Sequence, residues 1–557
     1  MAETYDVDLQ LDLKVPMRDG VGLSADIYRP RAPGRFPTVL IRTPYDNNSL
    51  IAKARSLANR GYVCVAQDCR GRWDSDGGYY PFHPDGEDGY DTQEWIGRQE
   101  WSNGKIGMSG ASYLGLVQWQ SAVHASEHLT CMAPRVICAD FYQGLVHPGG
   151  ALQLGVCMTW GMRTNGRTAQ DIDYHNWTEA FRGLPIAGID ELAGRRMQFW
   201  KDWVDHPCYD DYWKAVDVEK RFADIRAPAF NMGGWYDLYA RDTFVCFNGL
   251  RRQGATPEAR RSKLIVGPWP HSLSTSTRTG DIEFGADSMV DLEGLELRWF
   301  DYWLKGIDNG VAGEPPLRLF IMGSNQWRDE HEWPLARTDW QKWHLHSRGS
   351  ANTLLGDGSL SPQAPSDEPP DRYVYDPEHP VQTNGGNNCC SPHIVPWGPY
   401  DQRPVEMRGD VLCYTSAPLR EAMEVTGPIK VVLFAATDGR DTDWTAKLVD
   451  VSPNGYAMNL CDGIIRARFH EGFESESLLE PERIYRYEID LSATGNLFRA
   501  GHRIRLEISS SNFPRFDRNP NTGSELGKDT EMRRARQTVH HDAANPSHLL
   551  LPVIPAG

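Results

Sequence analysis

Residues 105–115 read KIGMSGASYLG. Apolar residues of strand length run into Gly110, a serine follows at 112, and Leu114 to Ser121 has the composition of a helix start. That order, strand then tight turn then helix, is the setting of a nucleophile elbow, in which a sharp turn lifts a serine hydroxyl clear of a sheet and tolerates only very small neighbours. Gly110 and Ala111 supply them. The spacing departs from G-x-S-x-G, with the second glycine at 115 instead of 114. The motif alone is weak, and its reading depends on the chain around it.

Outward from this stretch, apolar runs of strand length recur at 38–41, 62–66, 131–138, 229–232 and 263–266, with helix-length segments between several of them, such as 50–60 and 89–99. Strands that are apolar on both faces and alternate with helices predict a mostly parallel sheet with right-handed crossovers. Short alternating runs at the start, such as 21–28, predict an antiparallel lead-in. From about Asp140 to Arg221 the composition turns rich in Trp, Met and Gln, too long for one crossover, and predicts a helical cap inserted over the sheet. The apolar stripe of 292–304 is read as core packing, ending at Lys305-Gly306. After about Pro334 the pattern changes to short alternating runs (429–435, 445–451, 502–509) broken by turn signals, which predicts an all-β jelly roll. The expected partition is an α/β-hydrolase domain in two parts, 1–140 and 222–335, a helical cap at 141–221, and a C-terminal jelly-roll β-sandwich at 336–557.

The 557 residues, 40% of them hydrophobic and 11% aromatic, suffice for several packed domains. A formal charge of −17 leaves no basic footprint for nucleic acid, and no segment has the length and apolarity of a membrane span or signal peptide. A cytoplasmic location is expected, with a small-molecule ester or amide as partner; a homodimer stays open. Eleven scattered cysteines are expected as reduced, mostly buried thiols. For the neighbours Cys389 and Cys390, in a Gly/Asn-rich loop, two unrelated thiols are favoured over an oxidised pair.

A serine hydroxyl needs a base, and the base needs an orienting carboxylate. In this fold they follow in the order Ser, Asp, His at the C-terminal ends of later strands. Asp237, in GGWYD, follows the run 229–232; His271, in GPWPH, follows 263–266. The expected triad is therefore Ser112, Asp237 and His271. One oxyanion donor is expected from the Tyr113 backbone amide, and the other from the loop RTPYD at 42–46, where Tyr45 offers a phenol hydroxyl.

These stretches, together with VPMRDGVGLSADIYRP (15–30), QDCRGRWDSDGGYYPF (67–82), GMSGASYLG (107–115) and QTVHHDAANPSHLLLPVI (537–554), resemble the CocE/NonD family of α/β-hydrolases, which is related to X-prolyl dipeptidyl peptidases and α-amino acid ester hydrolases. The resemblance runs nearly end to end. It implies the same triad with Tyr45 and the Tyr113 amide on the oxyanion, a helical cap and a C-terminal jelly roll. It further implies that Trp160 and Tyr239 line the acyl pocket. Amino acid ester hydrolases carry acidic residues just after the catalytic Asp to grip an ammonium; here Leu238, Tyr239, Ala240 and Arg241 stand there, which predicts an uncharged acyl pocket. The expected activity is hydrolysis of carboxylic esters or amides through an acyl-enzyme, with no cofactor and no metal. An X-prolyl peptidase or a β-lactam or amino acid ester acylase on the same triad is the alternative. A non-catalytic carbohydrate-binding protein is the alternative of another class. The acidic turn Asp74-Ser75-Asp76-Gly77 lacks a calcium loop's glutamate, and His540-His541-Asp542 is read as structural.

Overall fold

The computed structural model describes residues 4–555. Its first layer is a ten-stranded sheet. Strands β1 (Val7–Pro16) and β2 (Gly22–Pro30) form the antiparallel lead-in. They are followed by β3 (Phe36–Thr43), β4 (Val63–Asp68), β5 (Ser102–Ala111), β6 (Leu129–Arg135), β7 (Phe230–Gly234) and β8 (Lys263–Gly267). From β4 to β8 the strands are parallel in the order β4-β3-β5-β6-β7-β8. The parallel strand Leu317–Ile321 and its antiparallel neighbour Gln326–Glu330 close the far edge. The central strands are buried along their whole length on both faces, which is why they read as unbroken apolar runs and not as alternation.

Helices cover both faces: α1 (Ile51–Asn59), α2 (Asp85–Gly97) and α3 (Tyr113–Ala122) are the first three. The helix Leu292–Lys305 begins at Asp291, whose side chain accepts from the Gly294 amide, and stops at Gly306 with φ 71°. Its Trp299, Phe300 and Leu304 pack into the cluster beneath the sheet, as the apolar stripe predicts.

The segment between β6 and β7 holds no strand among the described residues. It folds into short helices, the longest being Leu154–Thr164 and Gln198–Asp205, over the C-terminal ends of the parallel strands. Beyond residue 338 an eleven-stranded, largely antiparallel sheet folds into the β-sandwich. The strand Met423–Thr437 is its spine, pairing with Tyr485–Phe498, Ala535–His540 and His548–Ile554.

The sandwich shares a core with the hydrolase domain. Trp235, Phe244, Leu264 and Leu319 of the latter belong to one continuous cluster with Trp444, Leu448 and Leu506 of the former. Polar ties add to it. Arg466, fully buried, donates to Asp443 at 2.9 Å and to Asp517 at 2.7 Å, and Asp517 also accepts the Leu152 amide of the cap at 3.0 Å. Two carboxylates facing one guanidinium hold Arg466 well above the usual arginine range.

Asp517→Ala would leave Arg466 half-paired and the Leu152 amide without its acceptor. Breaking a buried charged network from one side costs about 3–5 kcal/mol. The thermal unfolding midpoint should fall by several degrees, and an unchanged midpoint would show that the tie carries no stability.

Candidate active site

Ser112 sits between β5 and α3 with φ 57° and ψ −127°, left-handed backbone that a residue with a side chain adopts only when its surroundings enforce it. The surroundings are tight. A Cβ on Gly110 would lie 2.3 Å from that of Leu114, and one on Gly115 would lie 2.4 Å from Ile137 Cγ2. The glycine at 115 thus serves a close approach between α3 and the chain after β6, one residue later than the common spacing. The Ser112 amide donates to the Arg135 carbonyl at 2.9 Å, which fixes the turn to β6. Because α3 begins at Tyr113, the Tyr113 N–H is among the amides that a helix leaves without an intrahelical acceptor.

Asp237 and His271 come from the turns after β7 and β8. The Tyr236 amide donates to the Trp269 carbonyl at 3.0 Å, so the two turns are braced on each other. Asp237 is fully buried, and its Oδ1 receives the His271 Nδ1 proton at 2.7 Å. This fixes the ring orientation and leaves Nε2 outside the pair. Nε2 is buried and has no hydrogen-bond partner.

Tyr45 lies on the loop after β3. Its hydroxyl accepts the Trp160 indole N–H at 2.8 Å, and its pKa is pushed up to about 12, chiefly by burial, with the bonds to Trp160 and Ser112 opposing. The phenol therefore stays a proton donor at all ordinary pH. Arg72 holds this loop: fully buried, it donates to the Pro44 carbonyl at 2.7 Å and to the carbonyls of Thr164 and Gly166, at the end of the helix that carries Trp160. Arg72 is a positioning residue that its own sequence context, a short basic run, does not reveal.

Ser112, Tyr45, Tyr113, Trp160 and Tyr239 meet around a cavity whose wall also takes in Phe82, Leu116, Val156, Trp203 and the Cys389-Cys390 pair. His271 borders it through Tyr239, its ring 5.8 Å from that of Tyr239. Phe82 stacks on Trp160 at 5.7 Å and on Tyr113 at 5.1 Å, building an aromatic floor. No charged side chain lines the cavity among the described residues. The first acid after the catalytic turn, Asp242, is buried in a pair with Arg241 outside that wall.

One expectation is overturned. Cys389 and Cys390 are joined in a disulfide, while the other nine cysteines are free thiols. Cys390 takes φ 76°, which breaks the alternation that would send neighbouring side chains to opposite sides. The loop is tied to the hydrolase domain. Asn387 Nδ2 donates to the carbonyls of Trp235 at 2.8 Å and of Asp237 at 2.9 Å, and Asn388 Nδ2 bonds the carbonyls of Gly385 and Pro396. The Asn387 bonds are not visible locally, since their partners lie 152 and 150 residues away in sequence.

The parallel sheet with its flanking helices and inserted helical segment defines an α/β-hydrolase fold. Residues 19–273 match the X-Pro dipeptidyl-peptidase (S15 family) profile and residues 309–550 match that of the X-Pro dipeptidyl-peptidase C-terminal non-catalytic domain. A cocaine esterase of Rhodococcus sp. (strain MB1 Bresler) is 38% identical, over 98% of this chain and 98% of its own. Among solved structures, an α-amino acid ester hydrolase superposes with a TM-score of 0.85 at 25% identity, covering 99% of this chain and 97% of that one. An aminopeptidase from a marine sediment archaeon, Thaumarchaeota archaeon, gives 0.84 at 25% identity, covering 100% of this chain and 97% of that one. The chain belongs to the CocE/NonD family of serine hydrolases. It is an enzyme of the carboxylesterase or acyl-hydrolase type.

Trp160→Phe keeps most of the aromatic wall but removes the N–H that holds the Tyr45 hydroxyl. The loss of one buried hydrogen bond, about 1 kcal/mol, should lower kcat for p-nitrophenyl butyrate about five- to tenfold. Trp203→Phe, which lines the same cavity without touching Tyr45, should act mainly on KM. Equal effects of the two variants on kcat would deny Trp160 its orienting role.

Proposed function

We propose that the enzyme cleaves carboxylic esters with an uncharged, largely apolar acyl group, using Ser112 as nucleophile, His271 as general base and Asp237 as its orienting carboxylate. The observation that carries this reading is the strained Ser112 turn opening onto a charge-free aromatic cavity beside a buried Asp237–His271 pair. His271 Nε2 takes the Ser112 proton as Oγ attacks the carbonyl carbon. Asp237 keeps the Nδ1 proton in place and stabilises the imidazolium that forms. The developing oxyanion receives the Tyr45 hydroxyl and the Tyr113 amide, both in place before the reaction. The imidazolium then gives its proton to the leaving alcohol, and water activated by the same nitrogen releases the acid. None of these steps calls for a cofactor.

An ester is preferred to a peptide because a free ammonium entering this cavity would meet no carboxylate. The 38% identical relative is itself described as an esterase. The likeness to an aminopeptidase structure keeps dipeptide release as the second reading, and the substrate panel decides between the two.

Ser112→Ala should lower p-nitrophenyl butyrate hydrolysis by about 10⁴-fold or more without loss of folding, and a fluorophosphonate should label Ser112 in the unaltered enzyme. Undiminished turnover by that variant would remove Ser112 from the mechanism, and faster cleavage of Gly-Pro-anilide than of the ester would favour the peptidase reading. Tyr45→Phe should cost about 10²–10³ in kcat with little change in KM. Since burial holds the Tyr45 phenol up to about 12, its donor proton is lost only as pH rises through that value. The kcat profile of the unaltered enzyme should show no alkaline fall attributable to a phenol below about pH 10, and such a fall, absent in Tyr45→Phe, would contradict the assignment.

A further inference from the structure

The Cys389–Cys390 disulfide stands in an unusual place for a structural cross-link. A bond between sequence neighbours closes almost no loop, so it adds little by constraining the unfolded chain. Both cysteines form part of the wall of the catalytic cavity. The ligand atoms of Cys389, Cys390 and His271 all lie within 4.8 Å of one another. His271 offers one ring nitrogen to that set; its Nε2 is buried and unpartnered, while its Nδ1 is already bound to Asp237 at 2.7 Å. A carboxylate behind a histidine whose other nitrogen is open is the arrangement that orients histidine ligands in metal sites.

We propose that, once the disulfide is reduced, Cys389, Cys390 and His271 form a binding site for a thiophilic divalent cation such as Zn²⁺ or Cd²⁺, and that its occupation switches hydrolysis off. The inference rests on the reading of His271 as the general base. Reduction by two thiol equivalents, or by a phosphine with water, delivers two electrons and two protons to the S–S bond and leaves two thiols, the reductant becoming a disulfide or a phosphine oxide. The cation then displaces the two thiol protons and takes the lone pair of Nε2, the same pair that would accept the Ser112 proton. Two thiolates and an imidazole suit a soft, tetrahedral cation, and the fourth position is open to the cavity. At a metal–sulfur distance of about 2.3 Å, two tetrahedral ligand sulfurs stand about 3.8 Å apart, so the sulfurs separate only a short way once the bond is broken.

The loop is built to keep them there. The Asn387 side chain ties it to the backbone of Trp235 and Asp237, and Gly386 and Gly398 exchange amide-to-carbonyl bonds of 2.8 and 2.9 Å across its base. Neither tie depends on the disulfide. In the oxidised state neither sulfur is a thiolate, and the site does not exist.

The test uses the full-length enzyme carrying Cys208→Ser, which removes the one other thiol that is not buried among the described residues. It is reduced with a phosphine, exchanged into oxygen-free buffer and titrated with Cd²⁺. Sulfur-to-cadmium ultraviolet absorption and p-nitrophenyl butyrate hydrolysis are followed together. One equivalent should raise the absorption to a plateau and suppress hydrolysis, reversibly with EDTA, while the oxidised enzyme shows neither effect. Replacing one ligand, in Cys390→Ser or in His271→Asn, should weaken Cd²⁺ binding by about tenfold or more. Ser112→Ala should keep the absorption change, so the site is read independently of turnover, and the metal-free activity of that same variant tests the nucleophile assignment separately. The proposal is overturned by a reduced enzyme that shows no absorption change, by binding that His271→Asn leaves unaltered, by full activity with one equivalent bound, or by equal inhibition of the oxidised form.

Discussion

Everything in the site is arranged around a backbone constraint at one residue. Ser112 is held at φ 57° between a strand and a helix, and the chain accepts that strain because Gly110 and Gly115 let α3 and the segment after β6 close in around it. Strain of this kind costs of order 1–3 kcal/mol and persists only where the neighbourhood over-determines it. The hydroxyl is thereby lifted to the C-terminal edge of the parallel sheet. The turns after β7 and β8 emerge at that same edge, so a histidine and an aspartate reach it with no insertion of their own.

The sheet positions Ser112, Asp237 and His271, but the cavity belongs to three parts of the chain. Tyr45, Phe82 and Tyr239 come from the hydrolase domain, Trp160 and Trp203 from the cap, and Cys389 and Cys390 from a loop near the start of the sandwich. The shared core and the Asp517 tie hold these parts at fixed distances. Among the described residues, the wall they make together carries no charged side chain.

Much of this was legible in the residues. The parallel strands announce themselves because both their faces are buried, and Asp237 and His271 each stand just past such a strand, in the chain order the fold requires. The departures are instructive. Gly115 looks like a misplaced motif residue until the packing against Ile137 explains it. Trp160 was readable as a pocket residue through family resemblance, yet its bond to Tyr45 spans 115 positions and leaves no local pattern. The Arg72 and Asn387 contacts are hidden for the same reason. The Cys389-Cys390 bond runs against the expectation of two separate thiols because a pair of loop cysteines carries no sign of the backbone turn that joins them. Periodicity reports which face of an element is buried; it says nothing of which distant side chain fills the space.

The hold that the sandwich keeps on the Asp237 turn also bears on how the enzyme is made. The asparagine that bonds the Asp237 carbonyl is synthesised long after Ser112, Asp237 and His271, and its domain is closed by the strand His548–Ile554, which pairs with both Asp339–His346 and Met423–Thr437. At about 5–20 residues per second a ribosome needs roughly a quarter of a minute to a minute to travel from the histidine to that strand. A nascent chain can hold Ser112, Asp237 and His271 and still lack one wall of the cavity, which is completed only near the end of translation.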